Sequence, residues 1–206
     1  MNRKIGANSS IVNLLAVLGF TASMLLRFNF GSYLCSMFIA FSFVQMMCCF
    51  LHFAVPERKA AGYAAVAFAS VYTAIILLVY FTQLTTVRFG GLTEQAQELL
   101  DFQQMNLFFC FDLLGYALMA LATFFAGLTI CPKKKTEKWL RTLLLIHGVF
   151  FIICLLLPML GIFQADSPAW IGVAVLEFWC AYFCPVALLS FLYFQSKEEH
   201  EDEATY

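Results

Sequence analysis

Charged residues divide this chain into long uncharged runs. Between one Asp, Glu, Lys or Arg and the next lie 22 residues at 5–26, 29 at 28–56, 28 at 60–87 and 24 at 142–165. Two further runs, 102–132 and 167–196, hold 31 and 30 residues and are interrupted once each, by Asp112 and Glu177. A helix crosses the hydrocarbon core of a bilayer in about 20 apolar residues, so every run is long enough to span. The runs are also too continuously apolar for the alternating strands, about ten residues each, of a membrane barrel. The pattern predicts an all-α fold, a polytopic integral membrane protein with spans near 9–27, 32–54, 62–87, 104–130, 139–163 and 168–195.

The connections are short enough to make one six-helix bundle over 1–196 rather than helices strung between soluble domains. Arg27-Phe28-Asn29-Phe30-Gly31 must turn tightly between the first two spans, and Pro56-Glu57-Arg58-Lys59 closes the second pair. Asp166-Ser167-Pro168 reads as an N-cap followed by proline at the first helical position. Leu92–Gln104, with Glu94, Glu98 and Asp101 among leucines, could form a surface amphipathic helix; a polar extension of the fourth span is the plainer expectation. The tail 197–206 is acidic and is expected to be disordered.

Composition agrees with the spans. The chain is 62% hydrophobic and 12% charged, whereas soluble domains run at about 45–50% and about 25%. Its formal net charge of −1 gives no reason to expect a nucleic-acid partner. Six spans put both ends on one side. That side collects Arg3, Lys4, Arg58, Lys59, Lys133, Lys134, Lys135, Lys138, Arg141 and Lys197, ten cations, against Arg27 and Arg88 on the other. The positive-inside rule therefore predicts cytoplasmic N- and C-termini and a multi-pass protein of the cell membrane. Arg3-Lys4 ahead of the first apolar run reads as a signal anchor, since no small-residue cleavage site follows. On this topology the Asn8-Ser9-Ser10 glycosylation match faces the cytoplasm.

The eight cysteines fall in or beside apolar runs without a CxxC pair, which favours packing over disulfides or a metal. Trp139, Trp170, Tyr63 and Tyr193 are placed as interfacial aromatics. Ala61, Ala65, Ala69 and Thr73 recur every four residues, a small-residue stripe that seats another helix, either of the same chain or of a second copy in a homo-oligomer. Pro158 and Pro185 are expected to bend the fifth and sixth spans.

Candidate chemistry is confined to the spans. An ionisable side chain in the hydrocarbon region costs roughly 2.5–3.5 kcal/mol on insertion scales and is by default a functional-site hypothesis. Asp112 and Glu177 are such residues, each about eight residues below the outer surface on this reading. Asp112 shares a helix face with Gly115, Tyr116, Met119 and Thr123, and Glu177 with Val173, Ala174, Cys180, Ala181 and Cys184. Arg27 and Arg88 end the first and third spans, Tyr72, Tyr80 and Gln83 form a polar stripe leading to Arg88, and Gln45 lies mid-way along the second span. Two uses compete: a ligand pocket built from Asp112, Glu177, Arg27, Arg88, Gln83, Tyr80 and Gln45, or internal pairing such as Arg27–Asp112 and Arg88–Glu177. His52 and His147 stand at different depths, which favours separate hydrogen-bonded histidines over a shared haem. No nucleophile elbow, zinc-binding HExxH or phosphate loop occurs, so no cofactor is expected, and a small intramembrane enzyme using the two acids ranks last among the readings. The expectation is binding or transport of a small molecule, proton or lipid through an outward-facing polar pocket; the alternative is a non-catalytic assembly subunit docking through the alanine stripe.

Overall fold

The computed structural model describes residues 1–104, 106–161 and 169–197, of which Gln104 and residues 169–171 are described through their backbone alone. The Asp166-Ser167-Pro168 helix start, the tail beyond Lys197 and the side chain of Trp170 lie outside the described residues. The helices are α1 (Asn2–Leu25), α2 (Asn29–His52), α3 (Lys59–Thr82), α4 (Glu94–Leu100), α5 (Leu107–Thr129), α6 (Lys135–His147), α7 (Val149–Met159) and α8 (Ala169–Gln195). A π-helical turn, Gln83–Val87, prolongs α3. Six helical stretches are long and apolar enough to cross a membrane, with α6 and α7 together making the fifth. No strand occurs among the described residues.

The helices follow one another around a bundle. α1 packs between α8 and α2, α2 meets α3, α3 meets α5, and α5 carries both α6 and α7. α6 closes the ring against α8, whereas α7 rests on α5 and hardly touches α8 among the described residues. The two halves of the fifth span thus have different neighbours. The break falls at Gly148, where a Cβ would stand 2.9 Å from the Phe124 ring. It is a packing notch, and it precedes the expected proline bend, since Pro158 lies near the end of α7.

Close approaches hold the seams. Gly6 of α1 lies against the ring of Phe194 of α8, so both described chain ends belong to the same end of the bundle. Asn13 of α1 donates through Nδ2 to the Ile39 carbonyl at 3.2 Å and to Ser42 Oγ at 2.9 Å, tying α1 to α2. The alanine stripe points inward. Ala65 and Ala69 are fully buried and Ala61 half-buried, while Thr73 Oγ1 donates to the Ala40 carbonyl of α2 at 3.2 Å. The seam expected from the small residues is occupied by the chain's own helices, which leaves Ala65 and Ala69 inaccessible to a second copy.

At the end carrying the termini, Arg58 Nη1 donates to the Leu128 and Ile130 carbonyls at 2.9 Å each, satisfying groups that the end of α5 leaves without helical partners. Glu137 accepts from the backbone N–H groups of Lys133 and Lys134 and so fixes the start of α6. The Lys197 ammonium lies 4.1 Å from the centre of the Tyr193 ring, and burial there draws it below the ordinary lysine range. Trp139 and Tyr63 are exposed as interfacial residues should be, but Tyr193 is a core residue packed 5.5 Å from Phe50.

At the opposite end, the turn between α1 and α2 is as tight as its sequence requires. Arg27 adopts a left-handed φ of 54°, and the Phe28 N–H reaches back to the Ser23 carbonyl at 2.8 Å. Leu92–Gln104 is not an extension of the fourth span, contrary to the plainer expectation. α4 is a separate short helix with Thr93 as its N-cap, and the chain turns extended at Asp101. The cause is side-chain bonding at that corner: Asp101 accepts from the Gln97 amide at 2.9 Å and from the Gln103 N–H at 3.0 Å.

Candidate ligand-binding cavity

Asp112 enters the bundle from the first turns of α5 and is 3% exposed. The face it shares with Gly115, Tyr116, Met119 and Thr123 is buried along its length, as the helical spacing requires. Opposite, α3 presents Tyr72, Tyr80 and Gln83, all buried. The Tyr80 hydroxyl is directed at the Asp112 carboxyl and at Ser36 of α2. One carboxyl oxygen, Oδ1, is buried without a hydrogen-bond partner.

That carboxyl opens onto a cavity of about 400 Å³. α1 contributes Phe20 and Met24 to its wall, α5 Phe109 and Tyr116, α7 Phe150 and Cys154, and α8 Leu176 and Trp179. Tyr33, Tyr80 and Phe102 form an aromatic cluster on the other side, with ring centres 5.4 to 6.2 Å apart. The lining is predominantly apolar, and among the described residues no lysine or arginine belongs to it.

His147 lies on the cavity's deep side and is held at both ring nitrogens. Trp179 Nε1 donates to His147 Nε2 at 3.0 Å, and His147 Nδ1 lies 2.8 Å from Thr123 Oγ1. An indole nitrogen can only donate, so Nε2 is the acceptor and the neutral ring carries its proton on Nδ1. Three helices, α5, α6 and α8, meet in this chain of bonds. His52, by contrast, bonds Asn2 at the end carrying the termini, so the two histidines are separate, as their sequence depths suggest.

Nearer the hairpin end lies a second, more polar recess of about 370 Å³, lined by Arg88, Gln83, Gln97 and Asp101. Asn29, Tyr33 and Gln103 line both spaces. Gln83 is also a clamp: its Nε2 donates to the Leu100 carbonyl at 2.7 Å, and its Oε1 accepts from the Phe102 N–H at 3.1 Å. Replacing Gln83 by Leu leaves both backbone groups unanswered at a cost of about 1–2 kcal/mol. Hydrogen exchange at the Phe102 amide should rise about tenfold, and unchanged exchange there refutes the clamp.

The other polar residues singled out in the sequence lie elsewhere. Glu177 is directed at Thr21 of α1, has an unpartnered Oε1, and is not part of the cavity wall. Gln45 is exposed on the outer surface of α2. Arg27 is exposed in the α1–α2 turn. Arg88 reaches the polar recess with its guanidinium 4.6 Å from the centre of the Phe30 ring. Neither acid has an arginine among its electrostatic neighbours, so the pairings Arg27–Asp112 and Arg88–Glu177 do not form.

The chain matches no family model, no curated protein and no solved structure. Its site must therefore be read from its own geometry. Sequence reasoning passed over Tyr33, Phe102 and Trp179. For Trp179 a signal existed: an indole N–H in the middle of a span needs an acceptor, and His147 is the only imidazole at a comparable distance from the membrane surfaces.

Proposed function

We propose that this protein binds a small molecule in the cavity at Asp112 and moves it into or across the membrane. The observation carrying this reading is the Asp112 carboxyl, buried with one oxygen unpartnered, in the wall of a predominantly apolar space of about 400 Å³. A carboxyl group kept in lipid is costly, and a bound donor would relieve that cost. Asp112 would hold the ligand's polar group, Tyr80 would orient the carboxyl, and Gln83 and Arg88 would shape the approach. The volume falls within the roughly 300–1,000 Å³ of small-molecule pockets.

The expected result is a mass adduct on the gently extracted protein in native mass spectrometry, lost in Asp112→Asn and kept in Glu177→Gln. An adduct equally retained by Asp112→Asn, or absent from the wild type, counts against the reading.

We further propose that both termini face the cytoplasm of a cell membrane, with the polar recess on the outer side. The ten-to-two distribution of cations supports this orientation. A C-terminal fluorescent-protein fusion should glow and an alkaline phosphatase fusion should be inactive; the reverse pair of results inverts the topology.

A further inference from the structure

We infer that the ligand of the Asp112 cavity is an amphiphilic organic cation, a protonated amine with an aromatic or short alkyl body. This deepens the cavity reading and rests on it. Each alternative ligand class leaves part of the site unexplained.

An anion would find no lysine or arginine in the wall, since the nearest cationic side chain in the approach, Arg88, is engaged over Phe30 in the outer recess. A divalent metal would need several oxygen ligands. Among the described residues the cavity offers a single carboxylate, and no three His, Cys, Asp or Glu side chains come together. A proton alone would answer Asp112 but leave the surrounding space unfilled. A neutral alcohol could bond to Oδ1, but it would bring no charge to balance a carboxylate held in a membrane interior.

An ammonium group satisfies the whole wall. It supplies both donors and the opposite charge to the Asp112 carboxylate in the wall. It also meets the rings that line the same space, Tyr33, Tyr80, Tyr116 and Trp179, whose faces attract cations. The apolar body then lies against Phe109, Phe150 and Leu176. The polar side chains Asn29 and Gln103 line both the cavity and the outer recess and offer an ammonium polar partners there.

The test compares two probes of one shape. Phenylbutylamine and phenylbutanol share their apolar body and differ in the charged group. Binding of each is measured to the full chain in phosphatidylcholine nanodiscs, with protein-free discs as reference. Three proteins are compared: wild type, Asp112→Asn and Cys154→Trp, the last a plug placed in the wall from α7. The wild type should bind one amine per chain about tenfold or more tightly than the alcohol. Asp112→Asn should erase that preference, and Cys154→Trp should abolish binding of both probes.

Equal affinity for amine and alcohol, with both blocked by Cys154→Trp, overturns the cation and keeps the cavity. Amine binding that survives both substitutions overturns the site. If neither probe binds the wild type while an adduct sensitive to Asp112→Asn persists in native mass spectrometry, the amine inference falls and the cavity reading stands. Should Asp112→Asn fail to fold, the amine-to-alcohol ratio on wild type and Cys154→Trp still decides the matter.

Discussion

Replacing His147 by alanine lowers the unfolding free energy by about 3–5 kcal/mol, the largest loss expected of a single substitution in this bundle. Two effects add. The imidazole is fully enclosed by aromatic rings, with Phe150 at 5.1 Å, Phe183 at 5.4 Å and Tyr182 at 5.7 Å between ring centres, so truncation leaves a void in a packed wall. It also strips the acceptor from the Trp179 indole, which has no alternative partner in an apolar surround. Hydrogen bonds inside membranes are often worth less than 1 kcal/mol, so the void carries most of the loss. A double-mutant cycle separates the two. With unfolding followed in mixed micelles, His147→Ala and Trp179→Phe together should cost less than the sum of the single changes, by about 0.5–2 kcal/mol. Strict additivity would mean that the indole–imidazole bond contributes nothing.

The second large effect is expected at the seam between the first and last spans. A Cβ on Gly6 would stand 2.6 Å from Phe194 Cγ and 2.9 Å from both neighbouring ring carbons. Phe194 cannot step aside, because it is fully buried and packed 4.8 Å from Phe50 and 5.4 Å from Tyr193. Gly6→Leu should cost about 3 kcal/mol, at the upper end for overpacking. Gly6→Ala should cost less, since alanine recovers up to about 1 kcal/mol of helix propensity. Phe194→Leu in the Gly6→Ala background should restore part of the loss. If Gly6→Leu unfolds at the wild-type point in the same micelle titration, α1 and α8 do not meet as closely as the geometry requires.

The six spans are legible in the sequence because lipid makes a blunt demand: about 20 residues without unpaired charge. That demand says little about where a helix starts outside the hydrocarbon. α1 accordingly begins at Asn2, well ahead of the expected ninth residue, since Arg3 and Lys4 are compatible with helix at an interface. The α4 corner was missed for a different reason. It depends on Gln83, 17 residues before Leu100, capturing the backbone on either side of Asp101.

At the site, sequence reveals how deep a residue lies but not which way it points around the bundle. Asp112 sits on a face that also carries Gly115, Tyr116 and Thr123, so its inward direction could be read. Glu177 and Gln45 have suitable depths and the wrong azimuths, one turned to Thr21 and the other to the outer surface. The His147–Trp179 bond joins residues 32 positions apart, and no local pattern announces it.

The slender contact between α7 and α8 changes what a binding constant for this protein would mean. Phe150 and Cys154 border the cavity from one side of that cleft, Val173 and Leu176 from the other, and Val173 is 38% exposed. Among the described residues few contacts close this side, so a ligand of the kind proposed above is expected to reach the cavity from the acyl chains. For an amphiphile the governing quantity is its mole fraction in the lipid, so dissociation constants expressed in aqueous concentration should drift with lipid-to-protein ratio and with chain length, while the same data expressed per lipid molecule collapse onto one curve.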